Sequence, residues 1–203
     1  MKQRMNKFKD KVVLITGAGK GSGRLLASAF AEHGATVAAN DISPMNVEEV
    51  VHQILMKGGQ AKAYVDDIAK KVAAQSLVNQ VEDDFGRIDL LINHATVEPH
   101  IPLLDMDEWD WNRVLDVNLT GAFLMMQSAG RIMQANGSGV IINLIPENQN
   151  RSEGKAAFAA SMDGLAGLTR LAARELSPYG ICVCALESKP DTVVKEVFSL
   201  FDQ

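Results

Sequence analysis

The residues best suited to chemistry stand near the start of the chain, in Thr16-Gly17-Ala18-Gly19-Lys20-Gly21-Ser22-Gly23, which follows directly on the apolar run Val12–Ile15. Gly17 and Gly21 let a chain turn tightly and bring backbone N–H groups against a pyrophosphate. Gly23 lets the following helix pack close to a sheet with its N-terminus facing the anion. Glycines also make plain turns, so context decides: a strand before, a helix after, and an acidic residue closing the next strand. That residue is Asp41, in Val37-Ala38-Ala39-Asn40-Asp41. A carboxylate there accepts hydrogen bonds from ribose hydroxyls and repels a 2′-phosphate, which favours NAD over NADP. Lys20 pulls the other way, because a cation beside the loop steadies an extra phosphate.

Other chemistry-bearing side chains are scattered. His94 and His100 fall at or after the fourth strand, at the sheet edge where ligands bind. Glu147 and Glu153 lie in a polar stretch after Pro146. All four read as solvated loop residues, and His33 and His52 as helix-surface positions. No His, Cys, Asp or Glu spacing matches a metal site. The two cysteines, Cys182 and Cys184, alternate with Ile181 and Val183 and so face one side of a strand. They read as small buried hydrophobes rather than a redox pair.

These residues need elements to hold them. Strand patterns cover Lys11–Thr16, Ala35–Asn40, Ala61–Val65, Ile88–Asn93, Gly139–Ile145 and Ile181–Leu186. Several are apolar on both faces, as a parallel sheet covered by helices requires. Helix patterns cover Gly21–His33, Val47–Lys57, Lys70–Phe85, Glu108–Ala135 and Lys155–Leu176. Ser43 before Pro44 suits the start of the second helix, and Asp107 before Glu108 and Asp110 that of the fourth. Strict alternation of strand and helix means right-handed βαβ units in an α/β, doubly wound parallel sheet. With no repeat or linker along residues 1–203, the expectation is one nucleotide-binding domain.

Composition is that of an ordinary globular protein, with 47% hydrophobic and 22% charged residues. A formal charge of −5 argues against a nucleic-acid partner. No apolar stretch approaches the ~20 residues that span a bilayer, and the basic run Met1–Lys7 lacks a following signal region. The expectation is a cytoplasmic protein without a membrane partner.

The spacing Thr-Gly-x-x-x-Gly-x-Gly, with the segments after it, resembles the short-chain dehydrogenase/reductase family over essentially the whole chain. Asp67-Ile68 looks like the Asp-Val pair that holds the adenine ring. Asn93-His94-Ala95-Thr96 resembles the family's Asn-Asn-Ala-Gly. Asp116-Val117-Asn118-Leu119-Thr120-Gly121 is similar to the segment carrying the first member of the catalytic tetrad, Asn118. Arg174–Ile181 looks like the family's helix-to-strand link. The resemblance implies a Rossmann-type sheet and a cofactor held by Gly17, Gly21, Ser22, Gly23, Asp41, Asp67, Ile68, Asn93 and Ala95.

It also implies a loss. Where the family has Asn-Ile-Ser-Ser, this chain has Asn143-Leu144-Ile145-Pro146. The family's Tyr-x-x-x-Lys becomes Phe158-x-x-x-Met162, with the spacing kept. The Pro-Gly after the sixth strand is replaced around Glu187-Ser188-Lys189-Pro190, and Ser22 stands where an isoleucine often packs by the nicotinamide. Tyrosine moves the proton that accompanies hydride transfer, and lysine lowers its pKa. Phe158 exchanges no proton and Met162 carries no charge. Losing one positioned acid–base group costs ~10²–10⁴ in rate, so no useful carbonyl chemistry is expected by the standard route. Asn118 alone does not restore it, because in the family this residue also braces a helix.

The family's helices corresponding to 108–135 and 155–176 form its main dimer face. Small residues Ala160, Gly164 and Gly167 permit close helix approach there, and Met125 and Met126 pack adaptably. Family members usually continue past Gln203 with a covering helix and a seventh strand, so the fold reads as shortened, with an exposed edge at the sixth strand after a short amphipathic piece, Val193–Phe201. The expected role is a non-catalytic subunit of a hetero-oligomeric NAD-dependent alcohol or hydroxyacyl dehydrogenase, such as those of anaerobic aromatic degradation. Two alternatives stay open. One is a dinucleotide-binding regulator, the other an oxidoreductase on CH–OH groups that uses His100, Glu147 or another group.

Overall fold

The computed structural model describes residues 7–147 and 153–202, so most of the basic N-terminal run and Gln203 lie outside it. Six strands form one parallel sheet: β1 (Val12–Thr16), β2 (Thr36–Asp41), β3 (Gln60–Val65), β4 (Leu90–Asn93), β5 (Gly139–Pro146) and β6 (Ile181–Ser188), in the order β3-β2-β1-β4-β5-β6. Between them run α1 (Gly21–Glu32), α2 (Pro44–Met56), α3 (Lys71–Phe85), α4 (Glu108–Leu115), α5 (Ala122–Asn136) and α6 (Ala156–Leu176). A short α7 (Val193–Ser199) follows β6. The order reverses direction between β2-β1 and β4, the crevice where doubly wound sheets place ligands.

Every residue of β1 is buried, the mark of a strand covered on both faces. One face packs Leu14, Leu91 and Ile141 against Leu77, Met125 and Met133 of α3 and α5. The other packs Val13, Ile15 and Ile142 against Leu26 and Phe30 of α1, Val50 of α2, and Val193 and Val197 of α7. β3 alternates exposed and half-buried positions, with only Tyr64 fully buried, as the edge strand it is. β6 closes the other edge among the described residues. The expected caps form: Ser43 accepts from the Asn46 amide, and Asp107 from Asp110 at 2.8 Å.

Four expectations need correction. The helix read as Glu108–Ala135 is broken by a π-helical turn, Asp116–Gly121, a local widening that often accompanies functional sites. His33 is not a plain surface residue: its Nδ1 meets the Ala29 carbonyl at 2.8 Å, and its ring lies edge-on to Phe198 of α7, beside Phe8 and Phe30. The two cysteines do share a strand face, but on this edge strand Cys182 is exposed and Cys184 only half-buried. Burial pushes the Cys184 thiol up to about 11, helped by Cys182. Gly164 faces inward, where a side chain would meet Leu119 at 3.0 Å, so it serves packing within the chain. Among the described residues no helix is long and apolar enough to cross a membrane.

Candidate functional site

At the carboxyl ends of β1, β2 and β4 the chain makes a groove, and its two ends differ. The first end begins where β1 stops. Gly17 takes φ +67, a left-handed turn that a side chain would strain, and a Cβ there would press on the Ala95 backbone at 2.8 Å. Thr16, fully buried, accepts from the amides of His94 and Ala95 at 3.1 and 3.2 Å. That bond ties the turn after β1 to the turn after β4. Gly21 and Ser22 open α1 and Gly23 is buried beneath the loop.

Asp41, at the end of β2 and only 7% exposed, accepts from the Gly19 amide at 3.0 Å and from the Ser43 amide at 3.0 Å. Each oxygen is engaged once, and a carboxylate has about four acceptor sites, so capacity remains for two ribose hydroxyls. Beside it lies a cavity of about 220 Å³ lined by Lys20, Asp41, Asp67, Ile68, Ala95 and Arg113, among others. Asn40 shapes its far wall by donating to the carbonyls of Tyr64 and Asp66 at 3.2 and 3.1 Å. Asp67 accepts from the Ala69 amide at 3.1 Å and faces the Arg113 guanidinium at 3.5 Å. Ile68 is buried against the π-turn, where Gly121 leaves it room. Burial raises the Asp66 carboxyl above its usual range.

Asn93 behaves otherwise than the cofactor-holding reading expects. Its side chain is buried in the sheet and donates to Asn143 of β5 at 2.8 Å, which in turn donates to Thr169 of α6 at 2.8 Å. This chain fastens α6 to the sheet and does not line the groove.

The other end of the groove is a cavity of about 210 Å³ lined by Ser22, His94, Glu98, Pro146, Ser188 and Val193, among others. Pro146 and Ser188 are register partners at the ends of β5 and β6. Phe158 and Met162 stand one turn apart on α6, and neither lines this cavity. Both are 1% exposed and pack with Val114, Ile145 and Ala157 into a separate apolar cluster. Val97, Met106 and Ala166 close it from the outside. Asn118 is fully engaged: it accepts from the Val97 amide at 2.8 Å and donates to the Val97 carbonyl and to Ser161 at 3.0 and 3.1 Å. Ser161 passes its own proton to the Phe158 carbonyl at 2.7 Å. The asparagine is thus a brace between the β4 loop and α6, over the dry cluster.

Several side chains expected to be loop ornaments are organised. His94 is packed into the loop with Nδ1 at 3.2 Å from the Gly17 carbonyl. Burial holds its imidazole below the ordinary histidine range, against opposing pulls from the Gly17 and Thr16 contacts and Asp41. Glu98 is bonded to Lys155, and Glu147 faces Lys189 at 3.5 Å. His100 is exposed, its ring over Gly154, and Glu153 is exposed. His52 is exposed on α2. Among the described residues no cluster could hold a metal ion.

Arg113 and the tethering role of Thr16 escape a reading of the sequence. Arg113 meets Asp67 from a distant part of the chain, and nothing in either local pattern pairs them. Thr16 carried a clue in its place directly before Gly17, but its partners lie beyond β4.

A dinucleotide fits this groove in part. The first end offers spare acceptors on Asp41, a cation in Lys20 and a walled cavity. The second end offers the nicotinamide ribose no charged partner on α6, since Met162 is apolar and turned into the cluster.

Comparison with known proteins agrees with this architecture. Residues 11–190 match the family model described as short chain dehydrogenase. The chain is 37% identical over 176 residues, 87% of its own length and 71% of the relative's, to subunit BbsD of a hydroxy(phenyl)methyl-succinyl-CoA dehydrogenase from Thauera aromatica. Among solved structures, NAD+-bound xylitol dehydrogenase is 34% identical with a TM-score of 0.85, covering 89% of this chain and 70% of that one. A metagenomic short-chain oxidoreductase in complex with NADP is 28% identical with a TM-score of 0.92, covering 97% and 92%.

Proposed function

This chain belongs to the short-chain dehydrogenase family, and we propose that it serves there as a non-catalytic subunit of a cytoplasmic, hetero-oligomeric NAD-dependent dehydrogenase acting on alcohols or hydroxyacyl thioesters. One observation carries the reading: Phe158 and Met162, in the places of the family's tyrosine and lysine, are sealed in an apolar cluster with Val114, Ile145 and Ala157. A bound nicotinamide would supply a hydride acceptor. The alcohol's proton must leave in the same step, and nothing on this face of α6 takes it.

The chain's own residues then bind rather than react. Asp41 accepts from ribose hydroxyls and disfavours a 2′-phosphate, so NAD is preferred to NADP. Asp67, Ile68 and Arg113 wall the adenine side. For pairing, α5 and α6 leave an apolar groove of about 270 Å³ lined by Phe123, Gly130, Leu168 and Leu171, among others, with Phe123 40% and Leu171 53% exposed. Met126 lines this groove from beneath, and both it and Met125 are buried in the chain's own core. The Thauera relative is itself one subunit of a dehydrogenase. Purification from the native source should yield this chain with a homologue bearing Tyr-x-x-x-Lys, active only as the pair. A strictly homomeric protein overturns the proposal.

A second reading has one observation in its favour: His94 and Glu98 both line the cavity of about 210 Å³ beside Pro146. They give an oxidoreductase with a different proton acceptor something to work with. NADH absorbance with the isolated chain and a panel of alcohols and hydroxyacyl thioesters decides between the two.

A further inference from the structure

His94 stands at the joint of the groove. It lines both the cavity beside Asp41 and the cavity beside Pro146. A nucleotide lying along the groove, as the proposed function requires, must run its diphosphate past this ring.

The ring's chemistry follows from its partner. Nδ1 faces the Gly17 carbonyl at 3.2 Å, and a carbonyl only accepts. Nδ1 therefore carries the proton in the neutral ring, which leaves Nε2 as a bare acceptor. The ring packs directly over Gly23, where a Cβ would lie 2.8 Å from Nδ1, so only a glycine leaves it this place. A bare acceptor repels phosphate oxygens. The same atom with a proton becomes a charge-assisted donor to an anion.

We propose that His94 is the residue that recognises the diphosphate of an adenine nucleotide, and that it takes up one proton from solvent when such a ligand binds. The charged groups around it are Lys20 on the glycine loop, Asp41 at the end of β2, Asp66 and Asp67 after β3, Arg113 on α4 and Glu98 on its own loop. Lys20 opposes the proton and Asp41 favours it. The ligand-free ring is held neutral by burial, below the ordinary histidine range, so the proton must come with the ligand.

The sign follows. Binding raises the ring's pKa, so affinity is greatest below the free-state value, falls by up to tenfold per pH unit through the window up to the bound-state value, and is level above it. ADP-ribose is the suitable probe, because its diphosphate carries no proton to lose across this range. Calorimetry in two buffers of different ionisation enthalpy, from about pH 5.5 to about pH 8, counts the protons taken up. The expected result is uptake approaching one proton and about tenfold weaker ADP-ribose binding at the alkaline end. Adenosine, with no phosphate, should show neither effect, and His94→Asn should bind ADP-ribose with no proton uptake and a flat profile. Binding of ADP-ribose to the unaltered protein without proton uptake overturns the role of His94 and leaves the groove reading intact. Absence of ADP-ribose binding at every pH overturns both.

Discussion

The two ends of the groove are built from the same sheet edge, yet they have opposite physics. At the β2 end, polar groups are kept and satisfied: Asp41 holds two backbone amides, Asp67 faces Arg113, and Asn40 ties down the β3 loop. At the β5 end Pro146 lines the cavity, while Phe158 and Met162 lie outside it in an apolar cluster. Burying an unpaired polar group costs free energy, whereas burying a phenylalanine returns about 1.5–3 kcal/mol. On the proposed function, a catalytic place without its charge therefore packs as core instead of remaining an open, wet site.

That contrast can be broken most directly by putting the charge back. Met162→Lys places an ammonium among Val114, Ile145 and Phe158 with no anion to meet it, and should cost about 3–5 kcal/mol. Urea unfolding measures it, and an unchanged midpoint would mean that the cluster is wet. Phe158→Ala should cost a comparable ~3–5 kcal/mol through the cavity it leaves, again visible in urea. The triple variant Pro146→Ser, Phe158→Tyr, Met162→Lys should form no NADH with alcohols, because the loop around Glu187–Pro190 is altered as well. Robust turnover in that variant would contradict the account.

Removing polarity from the other end gives a different phenotype. Asp41→Ala deletes acceptors that meet ribose hydroxyls and should weaken ADP-ribose binding by about tenfold to a hundredfold. Phe158→Ala should leave that affinity untouched. If both substitutions weaken binding alike, the two ends are not independent. The smallest effect belongs to the ion pair between Lys155 and Glu98 at the rim. Lys155 is only partly buried and both partners touch water, so Lys155→Ala should cost at most about 1 kcal/mol, with less effect in high salt.

Much of the fold was legible because a covered parallel sheet writes itself as short apolar runs. All six strands lie within two residues of where the runs place them, and β4 begins later than expected because Ile88 and Asp89 still belong to the connection. What escaped was whatever depends on a distant neighbour. The π-turn at Asn118 answers to bonds with Val97 and Ser161, which local periodicity does not reveal. His33 looked like a surface residue until α7 laid Phe198 against it. Asn93, read as groove lining, was claimed by Asn143, its partner on the neighbouring strand but distant in sequence. In the candidate site, the placing of the glycines and Asp41 at the carboxyl ends of β1 and β2 was readable from spacing. His94 was not, since a histidine after a strand carries no mark of whether it points to solvent or into a loop. Only its packing against Gly17 and Gly23 distinguishes the two.

The most direct test of the unequal ends is a side-by-side titration of the isolated chain with NAD+ and with ADP-ribose. If only the β2 end reads the ligand, the two dissociation constants agree within about twofold, and no NADH forms when an alcohol is added. NAD+ binding tenfold or more tighter than ADP-ribose, or NADH appearing on addition of alcohol, would show that the β5 end is still a working site.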